Sequence, residues 1–157
     1  IDQIERLNSI TASYGNKLHH IKAHGALYNQ MFTDKDLSDF YLDTIKGFQE
    51  ECFIYVPYNS EIEKSALEKG FKIMYEAFGD RAYNDNLSLV SRNMKGALIN
   101  NPKLVIDQIA SIIDSKKIKS INDKYKSIKA DTICIHSDTD NSIKILKEIN
   151  KTFKNKK

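Results

Sequence analysis

The chain has 157 residues, 41% of them hydrophobic and 29% charged, with a formal net charge of +3. That length fits one domain, the apolar fraction excludes disorder as a whole-chain description, and a small positive excess with no nucleic-acid signature gives no argument for nucleic acid as a partner. No apolar run approaches the roughly 20 residues of a membrane span, and Cys52 and Cys134 lie too far apart for a metal-type pair, which fits a reduced, cytoplasmic protein.

The chain begins at Ile1 and enters a helical pattern at once, with no initiator Met or leader, so the expectation is the later part of something longer. Ile4, Leu7 and Ile10 recur at a spacing of three ahead of Gly15-Asn16, and residues 2–14 read as a helix. Residues 19–23 read as a strand. Residues 36–51 read as a helix with Leu37, Phe40, Tyr41, Thr44, Ile45 and Phe48 on one stripe. A β-branched and aromatic run at 52–57 predicts a strand, and 60–69 a helix closed by Gly70. A strand at 71–75 leads into 79–92, a polar stretch long enough to be a functional loop. Pro102 opens a helix to about Ser115, strands follow at 118–121 and 132–135, and 141–153 is the last helix. Lys116-Lys117 and the basic residues of 154–157 read as solvated helix ends.

Strands alternating with helices predict a parallel sheet with helices packed outside it. Five predicted strands cannot close a barrel, which takes roughly 250 residues. No Gly-rich phosphate loop follows any strand, so a partial barrel is a better reading than a nucleotide-binding open sheet.

Strand alternation sorts the side chains by face. Ile21 and Ala23 oppose His20, Lys22 and His24; Phe71, Ile73 and Tyr75 oppose Lys72, Met74 and Glu76; Ile133 and Ile135 oppose Cys134 and His136. Three strands thus pair an apolar face with a polar one ending in His24, Glu76 or His136, at the carboxyl ends where parallel α/β folds place their sites. Lys22, His24, Glu76 and His136 are therefore expected to converge on one pocket. A lone strand-end Lys or His is more often a surface or hydrogen-bonded core group, and a polar interior face is as well filled by neutral hydrogen bonds. Two imidazoles at no fixed spacing are weak metal evidence, and Cys134 reads as a packed small residue. The loop gathers Glu76, Asp80, Arg81 and Tyr83. Arg81 could clamp a carboxylate or phosphate, while Asp80 could orient a cation or attacking water, or pair with a cation and rigidify the loop.

These same residues form blocks that resemble a known family. Ile21-Lys22-Ala23-His24-Gly25-Ala26-Leu27-Tyr28-Asn29-Gln30 resembles the Val-Lys-Pro-His-Gly-Ala-Leu-Tyr-Asn signature of the LamB/YcsF family. Glu76-Ala77-Phe78-Gly79-Asp80-Arg81-Ala82-Tyr83 is similar to its Glu-Val-Phe-Ala-Asp-Arg-x-Tyr block, and Leu89-Val90-Ser91-Arg92 and Gly96-Ala97-Leu98-Ile99 to its Leu-Val-x-Arg and Gly-Ala-x-Ile. Residues 118–121 match a Val-x-Ser-Ile strand, and Ile133-Cys134-Ile135-His136-Ser137-Asp138 resembles Val-Cys-x-His-Gly-Asp. Some positions depart. Ala23 replaces Pro, which relaxes the strand exit; Leu87 replaces a turn Gly, so the loop tip is expected to bend differently; Ser137 replaces Gly and restricts approach to the backbone.

The resemblance implies an α/β fold, a distorted seven-stranded (β/α) barrel of the glycoside hydrolase/deacetylase type, here an incomplete barrel with parallel strands and outer helices. The family's Asp-x-Asn-x-Asp-x-Gly-Glu, His-Ala-Gly-Asp and His-Pro motifs are not found in these residues, so 1–157 is expected to be the carboxyl-terminal part of a single such domain. The implied activity is that of the 5-oxoprolinase A subunit: ATP-dependent opening of the lactam of 5-oxo-L-proline to L-glutamate, with the B and C subunits as partners. His24, Glu76 and His136 are then the catalytic candidates, and Lys22, Asn29, Asp80, Arg81 and Asp138 the substrate-binding ones. ATP is expected as a co-substrate with Mg, with no tightly bound cofactor and no protein-held metal. The isolated chain, with open strand edges that invite a partner protein or another copy of itself, is expected to be inactive. Two alternatives stay open: a non-catalytic interaction or regulatory piece of that complex, and a metal-dependent carbohydrate deacetylase.

Overall fold

The computed structural model describes residues 1–154 and divides into two compact units, Ile1–Tyr75 and the chain from Glu76 onward. In the first unit α1 (Asp2–Ser13) carries the expected three-residue spacing, yet none of its residues is buried. Strand β1 is only His20–Ile21, shorter than expected because Gly25, at φ +62°, turns the chain into α2 (Gly25–Gln30). A six-residue helix is too short to show a period, which is why the sequence hides it. Asp34 caps α3 (Lys35–Thr44) by accepting the Leu37 amide. The helix expected over 36–51 ends there, giving way to a 3₁₀ turn at Lys46–Phe48 around Gly47. Its buried stripe is Ser38 and Leu42, whereas Phe40 of the expected stripe is 70% exposed.

Strand β2 (Phe53–Val56) and helix α4 (Glu61–Glu68) follow as expected, with Ser60 capping α4 and Gly70 at φ +79° beyond its end. Strand β3 runs Ile73–Phe78, later than predicted, so Glu76 is a mid-strand residue and not a strand end. β1 pairs in parallel with β2, and β2 with residues Ile73 to Tyr75 of β3. Ile21, Ala23, Ile54, Val56, Leu42, Ile62 and Ala66 are all buried, so the face assigned to Ile21 and Ala23 is indeed apolar and inside.

The second unit pairs Glu76, Ala77 and Phe78 in parallel with β6 (Thr132–Cys134). Helices α5 (Pro102–Ser115) and α6 (Ser142–Phe153) supply Val105, Ile109 and Ile145 to a core that Ile133, Ile135, Ile149 and Phe153 complete. The strand expected at 118–121 is present, shifted to start at Lys117, but its ladder is not parallel; its parallel pairing is a single bridge between Ser120 and Tyr83. Lys117–Lys119 (β4) pairs antiparallel with Tyr125–Ser127 (β5), because Asp123 at φ +61° lets the chain double back within a few residues. Lys116, left-handed at φ +54°, closes α5 and is exposed with Lys117. Of the basic tail, residues 155–157 lie outside the described residues. The class is α/β, with parallel strands and helices between them, as expected.

Candidate active site

The site grows from the end of β3. Gly79 donates its amide to the Cys134 carbonyl at 3.0 Å, holding the two strand ends together. A Cβ at Gly79 would stand 2.8 Å from Ile135 Cδ1 and 2.9 Å from Ile109 Cδ1, so the close approach favours glycine. The next residue, Asp80, is fully buried. Its Oδ2 accepts the His136 amide at 2.8 Å and the Thr139 hydroxyl at 2.6 Å, and its Oδ1 lies 3.0 Å from His136 Nδ1.

Burial alone would push the Asp80 carboxyl up; the hydrogen bonds from the His136 ring, Thr139 and the His136 amide outweigh it and hold the group below the usual carboxylate range. An ionised carboxylate only accepts, so the proton of a neutral His136 sits on Nδ1, and Nε2 presents its lone pair. The ring stacks on Phe78, centroids 5.1 Å apart and planes 14° from parallel, with its side chain 24% exposed. A buried carboxylate orienting an imidazole that reaches solvent is the arrangement of a general base or acid.

Around this pair the segment from Arg81 to Ile99 folds on itself. Tyr83 is buried, its phenolic oxygen accepts the Phe78 amide at 2.7 Å, and burial pushes its hydroxyl well up. Arg81 is 3% exposed and donates to the Val90 carbonyl at 2.7 Å. Its Nε has no hydrogen-bond partner and it makes no ion pair among the described residues. Burial first, then nearby Arg92, lowers its pKa. Arg92 pairs with the exposed Asp138 at 2.7 Å and holds that carboxyl below its ordinary value. Leu87 takes φ +74°, a conformation that glycine favours, and is buried.

The structure thus brings Asp80 and His136 together and sets Asp138 against Arg92. Glu76 is buried on the same face of β3 as Phe78, the ring on which His136 rests. In the first unit, Lys22 is half-buried with Nζ 5.7 Å from the Tyr28 ring centroid, His24 stands exposed at the start of α2, and Asn29 is exposed on α2. Two residues escaped the sequence reading. Thr139 lies three positions after His136, a spacing that only the turn geometry explains. Gln108 interrupts the apolar stripe of Val105, Ile109 and Ile112, a visible signal, and donates to the carbonyls of Phe78, Gly79 and Arg81. Among the described residues no three His, Cys, Asp or Glu side chains gather to hold a metal, and no helix is long and apolar enough to cross a membrane.

The profile of the LamB/YcsF family matches residues 1–157. A protein of Campylobacter jejuni subsp. jejuni, named as the A subunit of 5-oxoprolinase, is 37% identical over 97% of this chain and 60% of its own length. One of the same name from Fusobacterium nucleatum is 35% identical over 96% of the chain and 59% of its own length. The chain therefore spans about 60% of the length of the curated relatives it matches. The crystal structure of a lactam utilization protein from Thermus thermophilus superposes with a TM-score of 0.84 at 27% identity, covering 96% of this chain and 61% of that one.

Proposed function

The chain belongs to the LamB/YcsF family, and from that premise we propose that it acts as part of a cytoplasmic 5-oxoprolinase A subunit. In this reading it opens the lactam of 5-oxo-L-proline to L-glutamate, with ATP and Mg as co-substrate and the B and C subunits as partners. The observation that carries the reading is the Asp80-held His136, a buried carboxylate fixing an imidazole that is itself partly exposed.

The chemistry asks for such a set. A lactam is an unstrained amide, so opening it takes carbonyl activation, an activated water and a proton for the departing ring nitrogen. Phosphorylation of the lactam oxygen by ATP would supply the activation. His136 Nε2 can accept the proton of the attacking water or deliver one to the nitrogen, and Asp80 stabilises the imidazolium formed in between. Arg81 suits the substrate carboxylate: a buried guanidinium with one carbonyl partner leaves N–H groups for an anion, and a carboxylate would offset its burial. Glu76 and His24 are further proton-transfer groups in this proposal, and Lys22, Asn29 and Asp138 further substrate ligands.

The test is glutamate release from 5-oxoproline with ATP, for this chain alone and then with the B and C subunits. Turnover is expected only with the partners, and His136→Gln should reduce it at least about a hundredfold, the usual scale of general acid–base catalysis. No turnover with the partners present, or turnover indifferent to His136, would sink the reading.

A further inference from the structure

We propose that Gln108 is a positioning residue for the Asp80–His136 pair, an inference that rests on His136 being the proton-transfer group. Gln108 lies on α5, one turn after the buried Val105 and next to the buried Ile109. Its Nε2 donates to the carbonyls of Phe78 at 2.9 Å, Gly79 at 3.2 Å and Arg81 at 3.0 Å. Three acceptors admit only the NH₂ end of the amide, whose two N–H bonds are shared among them. The remaining carbonyl of the run, that of Asp80, accepts the Ile99 amide at 2.9 Å.

Every carbonyl from Phe78 to Arg81 is therefore held, three of them by one side chain. The orientation of those peptides decides where the Asp80 side chain points. That side chain must satisfy contacts of 2.6 and 2.8 Å at Oδ2 and 3.0 Å at Oδ1 together. Such a constellation tolerates a displacement of only about 0.5 Å before its geometry is lost. Gln108 has no hydrogen bond to His136, so it acts through Asp80 and β3. α5 thus does more than cover the sheet: it sets the register of the carboxylate that fixes the imidazole tautomer.

The test reads the tautomer directly. In ¹⁵N NMR of the folded chain, the neutral His136 ring of the wild type is expected to carry its proton on Nδ1, whatever reaction the protein catalyses. In Gln108→Met, which keeps length and volume but removes the donor, the Nε2–H form should appear at the expense of Nδ1–H. A Gln108→Met chain that melts earlier but keeps its ring wholly Nδ1–H has lost stability only, and that result overturns the inference. Should that variant fail to fold, Gln108→Ala is read by the same criterion. A wild-type ring protonated on Nε2 would overturn the dyad and this inference together. A tautomer shift in a protein without lactam turnover would uphold the role of Gln108 and sink only the proposed reaction.

Discussion

His136 Nδ1 stands 3.0 Å from Asp80 Oδ1, although the two residues are 56 positions apart in the chain. Asp80→Asn keeps the size of the side chain but can no longer accept from the ring, the His136 amide and Thr139 together. In the proposed complex with the B and C subunits we expect turnover of 5-oxoproline to fall at least about a hundredfold, and in the chain itself unfolding free energy to fall by about 1–3 kcal/mol as buried donors go unmet. Steady-state kinetics and urea denaturation of the same variant separate the two. Near-normal turnover would mean that the pair is only structural.

Arg81→Lys keeps the positive charge but loses the fork that can hold Val90 and an anion together. KM for 5-oxoproline should rise at least about tenfold, since a charge-assisted hydrogen bond contributes roughly 1.5–3 kcal/mol. Substrate titration is the measurement. An unchanged KM would leave Arg81 as a brace for its own loop.

Carboxyls held below their ordinary range shape the acid limb of stability, Asp85 and Asp80 among them. Lys124, together with Ser120, holds Asp85 down to about 2 from an ordinary 3.8, and Asp80 is also lowered. A group with a depressed folded pKa takes up its proton first in the unfolded chain. Its stabilisation is therefore complete above about pH 4 and drains away as the pH falls toward about 2. Urea midpoints across that window should drop steadily for the wild type and less steeply for Asp85→Asn. Identical slopes would assign Asp85 no part in the limb.

The parts of the fold that the sequence reveals are those built from repeated local signals. Helices α4 and α5 carry their own caps, Ser60 and Asn101, and apolar stripes. The faces of Ile21 with Ala23 and of Ile133 with Ile135 follow from alternation alone, and both pack inward. What stays hidden depends on distant partners or on single backbone angles. The β4–β5 hairpin turns on the left-handed Asp123, and the role of Gln108 on carbonyls about thirty residues away. For the same reason the sequence marks His136 and Asp80 as candidates without showing that they are partners.

At Leu87 two effects of opposite sign compete. A left-handed leucine costs roughly 1–2 kcal/mol, while removing a buried leucine side chain costs about 2–5 kcal/mol. Leu87→Gly relieves the first and incurs the second, so a net loss of about 1–3 kcal/mol is expected in denaturant unfolding. A stabilised variant would reverse that ranking and make backbone strain the larger effect.

The segment between Arg81 and Ile99 also has an engineering consequence. Its ends are stapled by the Ala82 amide on the Ala97 carbonyl at 2.9 Å and the Ile99 amide on the Asp80 carbonyl at 2.9 Å, while every residue of 91–96 is exposed. A cut or a short insertion at Asn93 or Met94 leaves both staples closed, and inserting residues into a loop already shut costs only a slowly growing entropy. A fluorophore, an affinity tag or a protease site placed there would report on the neighbourhood of His136 from outside, with the chain on either side still held in register.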